Sequence, residues 1–257
     1  MDFLKEIISN KRKEISCKKK RMRFIDLIKG RNSELRDFKG SIKSKGISLI
    51  AEIKRMSPST GIIVKKFNPS RLAHIYESAG ADVISVITDK RYFGGKDEYI
   101  ELVKKKSCLP VLRKDFIIDE FQIFESFYLG ADGILFIARI LSLSELKNFI
   151  NVAHSLGLTT VVEVHTLSEI KKAISTDTDV IGTNNRNLNN FMVDTRISLK
   201  LRKFIPDCYL TVSESGIRNA QEVEKLKKAG FDAILVGTSL LQADNISKKI
   251  LELKGKG

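Results

Sequence analysis

The run PVLRKDFII, residues 110–118, has the character of a buried strand, yet it carries Arg113, Lys114 and Asp115 near its end. Such charges cost several kcal/mol to bury without partners. Four further apolar runs end the same way. SLIAEIK places Glu52 and Lys54 two residues apart and so on one face of a strand. TTVVEVH supplies Glu163, VIGTNNR supplies Asn184 and Arg186, and LTVSESGI supplies Glu214 and Ser215. Taken singly, each is explained by snorkelling or by a salt bridge. Collected at the ends of five runs, they make a set that can protonate one oxygen of a small molecule and remove a proton elsewhere on it. Arg186 can hold an anionic group through a bidentate fork, which a carboxylate fits well. Asp115 points to the face opposite Lys114 and is expected to pair with a neighbouring helix or lysine. His165 shares parity with Glu163 but lies one step further out and reads as a loop histidine. Nothing fixes the direction of Arg139.

The elements that would position these groups recur along the chain. ESAGADVISVIT (77–88), FYLGADGILFIA (127–138) and KKAGFDAILVGT (227–238) each end a helical pattern at a glycine, place an aspartate two residues later and enter a β-branched run. Gly80, Gly130 and Gly230 supply the left-handed turn that other residues adopt only with strain. Short apolar runs predict eight strands, at 48–54, 83–88, 110–115, 133–138, 159–165, 179–184, 209–214 and 232–237. Helical patterns separate them, as in PSRLAHIYESAG, where Pro69 takes the first helical position after Asn68. Eight such units predict a (β/α)8 TIM barrel, with a doubly wound sheet as the alternative. No linker divides residues 1–257, so one domain is expected, with 1–46 as an N-terminal helical extension.

In such a barrel the chemistry gathers at the C-terminal ends of the strands, and the loops after strands seven and eight recurrently bind phosphate. Here those loops carry Ser215 and Gly216, then Gly237, Thr238 and Ser239 just ahead of a helix. Small residues let backbone N–H groups approach an anion, and the helix N-terminus adds a favourable dipole.

Composition excludes several classes. A hydrophobic content of 42% with 30% charged residues is globular, and no apolar run approaches the ~20 residues of a membrane span. The first residues, MDFLKEIISNKRKE, lack a secretory h-region, so a cytoplasmic location is expected. Cys17, Cys108 and Cys208, like His74, His154 and His165, are scattered, which argues against disulfides and against a metal site. The net charge of +14 suits either nucleic acid or small anionic substrates. Its densest stretch is 11–23; over 4–22, Leu4, Ile8, Ile15 and Met22 fall near helical spacing and leave the lysines on a solvated face. That stretch has no aromatic platforms of the kind that nucleic-acid binding would favour.

Read together and in order, IAEIKRMSPSTG, SVITD, PVLRKDFIID, VVEVHTLSE, IGTNNRNL and VSESGI resemble the indole-3-glycerol phosphate synthase family over nearly the whole chain. The resemblance implies a (β/α)8 barrel with a helical extension over its mouth. It implies a carbon–carbon lyase of tryptophan biosynthesis. Its substrate would be 1-(2-carboxyphenylamino)-1-deoxyribulose 5-phosphate, converted to indole-3-glycerol phosphate with loss of carbon dioxide and water. By the same resemblance no cofactor or metal is used, Lys114 is the general acid and Glu163 the general base. Glu52 and Lys54 are further catalytic groups, with Lys54 open between steadying a substrate anion and helping the hydroxyl depart. Ser57, Phe116, Asn184, Arg186 and Glu214 would bind substrate, and Ser215, Gly216, Gly237 and Thr238 its phosphate. Partners are restricted to that small molecule, with no nucleic acid and no membrane. A monomer with a single activity is expected, open to association with other enzymes of the tryptophan pathway. The chain has no tryptophan, so an aromatic contact from the extension falls to residues such as Phe3, while Tyr92 and Phe93 stand where the family commonly has paired phenylalanines. The nearest rival, phosphoribosylanthranilate isomerase, needs a cysteine and aspartate pair at strand ends, which no cysteine here supplies.

Overall fold

A computed structural model describes residues 3–21, 27, 30–31, 33–43, 46–187 and 189–256. Eight parallel strands close into a barrel: β1 (Ser48–Ile53), β2 (Val83–Ile87), β3 (Val111–Lys114), β4 (Gly133–Ile137), β5 (Thr159–Val164), β6 (Val180–Asn184), β7 (Leu210–Glu214) and β8 (Ala233–Val236). Each lies within its expected span, shortened by at most one residue at either end. β1 pairs with both β2 and β8, so no sheet edge remains in the barrel. A short hairpin of Met56–Ser57 with Gly61–Ile62 follows β1 and was not apparent from the sequence.

The glycine-then-aspartate signature has a mechanical explanation. Gly80, Gly130 and Gly230 take φ of 92°, 93° and 86°, ending their helices in the left-handed region. Two residues on, each aspartate reaches back to the foot of the preceding strand. Asp82 accepts the Leu49 N–H at 2.7 Å, Asp132 that of Val111 at 2.8 Å, and Asp232 that of Thr211 at 2.7 Å. Asp179, which lacks the glycine two residues before it, accepts the Thr160 N–H at 2.9 Å in the same way. An N–H at the foot of a strand would otherwise be buried without a partner, which costs more than a hydrogen bond returns. All four odd strands are held at the foot by the residue immediately before the next strand.

Inside the barrel, Ile50, Leu112, Val161 and Val212 belong to one buried cluster that runs from the mouth to the foot. It is capped below by Phe38 and Ile42 of a five-residue helix, and above by Leu4 and Ile7 of the first helix, α1 (Phe3–Lys19). No described helix is long and apolar enough to cross a membrane.

α1 corrects one expectation. Its buried stripe is Leu4, Ile7, Lys11 and Ile15, so Lys11 lies on the packed face and not among the solvated lysines; Met22 lies outside the described residues. The reason is two acids beneath it. Lys11 Nζ lies 2.8 Å from Asp115 and 3.0 Å from Asp89, with Glu14 at 3.1 Å. Burial works against the ammonium, but these three carboxylates outweigh it and hold Lys11 above the ordinary lysine range. Lys18 is likewise engaged, by Asp97 and Glu125, which leaves the basic stretch less free to act as a nucleic-acid arm. Asp115 has the structural pairing expected of it and also accepts from Thr88 Oγ1 at 2.6 Å. Arg113, fully buried and facing the helices, pairs with Glu125 at 2.7 Å and Asp97 at 3.1 Å.

Replacing Lys11 by methionine leaves Asp89 and Asp115 buried without their cation, so Lys11→Met is expected to cost about 3–5 kcal/mol in denaturant unfolding at neutral pH. Asp115 is held well below the usual carboxylate range, chiefly because Lys11 and Arg113 overcome the effect of burial. Its contribution is therefore present above the unfolded carboxyl pKa and lost as pH falls through the folded one. The gap between variant and parent should narrow on acidification; a gap that stays constant from pH 7 to 3 contradicts the ion-pair origin.

Candidate active site

Two residues beyond each member of the apolar layer Ile50, Leu112, Val161 and Val212, on the same face of β1, β3, β5 and β7, stand Glu52, Lys114, Glu163 and Glu214. Barrel interiors stack in layers of four side chains drawn from alternate strands, and those layers are ordinarily branched and apolar. Here the uppermost odd layer consists of three carboxylates and an ammonium. Lys114 Nζ lies 3.1 Å from Glu214 Oε2, 3.6 Å from Glu52 Oε1 and 3.8 Å from Glu163 Oε2. Lys54, one step higher on the chain after β1, meets Glu52 Oε2 at 2.6 Å. The buried strand can end on a lysine because that lysine is the hub of the layer.

Space for these groups comes from glycine on the neighbouring strands. A Cβ at Gly182 in β6 would stand 2.4 Å from Glu214 Oε1, and one at Gly237 beyond β8 would stand 2.2 Å from Glu52 Oε2. Gly237, expected only as part of an anion site, thus also admits a carboxylate.

The charges perturb one another. Burial disfavours the Lys114 ammonium, but Glu214, Glu52 and Glu163 together hold its pKa above the ordinary lysine range. Glu52 is buried, which would raise it, yet Lys54 and Lys114 bring it below the usual carboxylate range. Glu214 goes the other way: burial pushes its carboxyl up to about 7, with Lys114 opposing and Glu163 assisting. With all five groups ionised, Glu52, Glu163 and Glu214 against Lys54 and Lys114 leave one uncompensated negative charge. A proton on Glu214 near neutrality removes it. Oε1 of Glu163 and Oε1 of Glu214 are buried with no hydrogen-bond partner, an unusual state for carboxylate oxygens.

The layer forms the floor of a cavity of about 650 Å³. At one side of it lie Ser215, Gly216, Gly237 and Thr238, with Ser239. Ser215 has φ 68° and Gly216 φ 83°, successive left-handed residues of a tight turn. Asn185, fully buried, donates from Nδ2 to the Ser215 carbonyl at 3.0 Å and fixes that turn. Sequence reasoning named its neighbours and missed Asn185, whose only signal was its opposite parity in TNNR. The cavity also takes in Phe116 and Phe93, with ring centroids 6.2 Å apart, and Phe3 of α1, which stacks edge-on against Phe191 at 5.0 Å.

Ser57, Asn184 and Arg186 join the same cavity. Asn184 Oδ1 accepts the Arg186 backbone N–H at 2.9 Å. The guanidinium donates through Nη1 to the Phe191 carbonyl at 3.0 Å and to Ser59 Oγ at 3.3 Å. Burial lowers the pKa of Arg186, with Glu52 opposing. All thirteen residues singled out from the sequence therefore converge, except that Glu214, buried at the foot of the layer, reaches the cavity through its contact with Lys114. His165, read as a loop residue, does lie in the bend after β5, and its side chain packs there between two carboxylates. Among the described residues no group of three or more His, Cys, Asp or Glu side chains is placed to hold a metal ion.

A charged layer where a barrel normally packs hydrocarbon, opening on a cavity flanked by small-residue turns, defines a (β/α)8-barrel enzyme of the acid–base type. The family model for indole-3-glycerol phosphate synthase matches residues 4–253. Named relatives include the indole-3-glycerol phosphate synthases of Legionella pneumophila (strain Paris), 42% identical with 98% of both chains covered, and of Thermoanaerobacter pseudethanolicus, 42% identical with 99% of both covered. That of Chlorobium chlorochromatii is 43% identical, with 93% of this chain and 95% of the relative covered. The chain belongs to the indole-3-glycerol phosphate synthase family. Among solved structures, a thiamine phosphate pyrophosphorylase from Pyrococcus furiosus superposes with a TM-score of 0.60 over 83% of this chain and 96% of its own. An N-acetylmannosamine-6-phosphate 2-epimerase from Clostridium perfringens superposes with 0.62 over 81% and 92%. At 16% identity each, these two speak for the barrel alone.

Proposed function

We propose that the chain converts 1-(2-carboxyphenylamino)-1-deoxyribulose 5-phosphate to indole-3-glycerol phosphate, carbon dioxide and water, the reaction for which its family is named. The observation that carries this reading is the Lys114 ammonium within 3.1–3.8 Å of three glutamates at the floor of a cavity able to hold a molecule with two anionic ends.

The phosphate fits the turns at Ser215–Gly216 and Gly237–Thr238, small residues that line the cavity and, at the second, begin the helix Thr238–Leu241, where backbone N–H groups can receive an anion. Phe93 and Phe116 suit the benzoate ring, and Arg186 its carboxylate. The ketone carbon then lies over the charged layer. Ring closure forms a bond between the ring carbon that bears the carboxylate and the ketone carbon, and the carbonyl oxygen takes a proton from Lys114 to become a hydroxyl. Decarboxylation returns its bonding electrons to the ring and restores aromaticity. The hydroxyl takes a second proton, from Lys54 or from Lys114 once reprotonated, and departs as water while the adjacent methylene loses a proton to Glu163, which completes the indole. Lys54, paired with Glu52, is placed either to steady an anionic group or to protonate the departing hydroxyl.

All of the assigned groups belong to one chain, which supports action as a monomer and a reading of the chain as one domain; a cytoplasmic location accords with a phosphorylated biosynthetic substrate. The test is direct. Adding this substrate to the folded chain should produce indole fluorescence and one equivalent of carbon dioxide per product. Saturating substrate with neither signal, from a chain whose circular dichroism shows it folded, rules the activity out.

A further inference from the structure

His165 follows β5 directly, and its ring is buried. Nε2 lies 3.6 Å from Glu163 Oε1, and Nδ1 lies 3.5 Å from Glu169 Oε2. Neither ring nitrogen has a hydrogen-bond partner, and neither does Glu163 Oε1. Three buried polar atoms a few tenths of an ångström short of bonding distance constitute an arrangement that costs free energy as it stands and closes with a small movement. Behind the ring, Glu169 is fixed. It accepts the His165 backbone N–H at 2.6 Å, accepts from Arg139 Nε at 3.1 Å, and sits in the first turn of the helix Leu167–Ile174. A line of alternating charge thus runs Arg139, Glu169, His165, Glu163, Lys114.

We propose that His165 is a positioning residue for Glu163: its ring bridges Glu169 and Glu163 and fixes the orientation and the charge of the carboxylate that faces the substrate. This rests on the reading of Glu163 as the base. The groups facing the ring are Glu163 from β5, Glu169 from the following helix and Arg139 from the turn after β4. Burial disfavours the imidazolium, but the nearby carboxylates of Glu169 and Glu163 outweigh it, with Arg139 opposing, and the ring is held above the usual histidine range. A cationic ring placed between two carboxylates favours the charged form of its neighbours. It also anchors the oxygen that Lys114 does not face, so the carboxylate has one orientation on the cavity floor.

The experiment measures kcat and KM against pH for the parent, His165→Asn and His165→Gln, and follows the His165 ring by ¹⁵N NMR in the parent and in Glu163→Gln. The expected result is a kcat lowered about tenfold with KM little changed, and an acid limb of the kcat profile moved up by about one pH unit, the size expected of one neighbouring charge. By reciprocity, the His165 ring should titrate lower by a similar amount in Glu163→Gln. Both amide variants are made because either one alone could pack poorly. An acid limb that stays in place, whatever happens to kcat or to the unfolding temperature, overturns the positioning role, as does an unmoved ring titration in Glu163→Gln. If Glu163→Gln keeps its turnover, the base assignment falls and the positioning role with it. If Glu163→Gln is inactive while the acid limb of the histidine variants is unmoved, the positioning role alone is wrong.

Discussion

Lys114→Ala should lower kcat by roughly 10³–10⁴-fold, about 4–5.5 kcal/mol of barrier, while the barrel still folds. The loss is large because the ring-closing step develops negative charge on an oxygen that only a nearby proton donor can quench, and Lys114 is the cation at the centre of the layer. Lys54 is committed to Glu52 at 2.6 Å and cannot reach the same point without breaking that pair. Folding survives because burial already pushes the Glu214 carboxyl up to about 7, so that it takes up a proton once its ammonium neighbour is gone. The sign of the pH dependence follows. A carboxyl whose folded pKa lies above its unfolded value favours folding at low pH, and that advantage is lost as pH rises through the folded value. Loss of Lys114, which opposes the upward shift, raises that value further in the variant, so the stability deficit relative to the parent should be smaller at pH 6 than at pH 8. Turnover within tenfold of the parent would remove Lys114 from the acid role.

Glu163→Gln should be nearly as damaging, with kcat lower by about 10²–10³-fold and KM changed only a few-fold, since the amide keeps the shape but accepts no proton. Its failure has a different signature. If Glu163 takes the proton released in the final step, closure and decarboxylation precede its action. A quenched single turnover of the variant should therefore contain carbon dioxide in excess over indole, and mass spectrometry should find a species that has lost carbon dioxide but not water. Equal yields of carbon dioxide and indole at the reduced rate would move Glu163 to the first step.

Much of this site could be read in advance, because strand periodicity does the work. Once SLIAEIK, PVLRK, TTVVEV and LTVSE are strands, Glu52, Lys114, Glu163 and Glu214 must share a side with Ile50, Leu112, Val161 and Val212, and a barrel turns that side inward. What stayed hidden depends on distance across the fold. Lys11 looked like one more solvated lysine, since its partners Asp89 and Asp115 are far away in the chain and lie under α1 only after the barrel closes. Gly182 carried no signal, because the atom it makes room for belongs to the next strand. His165 lies beyond β5 as expected, but the enclosure of its ring was not legible, because parity says which way a side chain points and not whether a helix folds back over it; the Glu169 of the following turn is what encloses the ring. Asn185 points away from the cavity and acts through the carbonyl of Ser215, a connection that exists only between strands β6 and β7.

The aspartates at the feet of the odd strands have a consequence for how the molecule comes apart. Each one ties a strand to its successor, so the barrel consists of four two-strand quarters, each latched within itself. The seams between quarters, at β2–β3, β4–β5, β6–β7 and β8–β1, carry no such latch among those four bonds. Under partial unfolding the amides of Leu49, Val111, Thr160 and Thr211 would then be among the slowest to exchange with deuterium, and the sheet would part along the seams first. Since Glu52, Lys114, Glu163 and Glu214 fall one to each quarter, opening any single seam disperses the charged layer long before the quarters themselves dissolve.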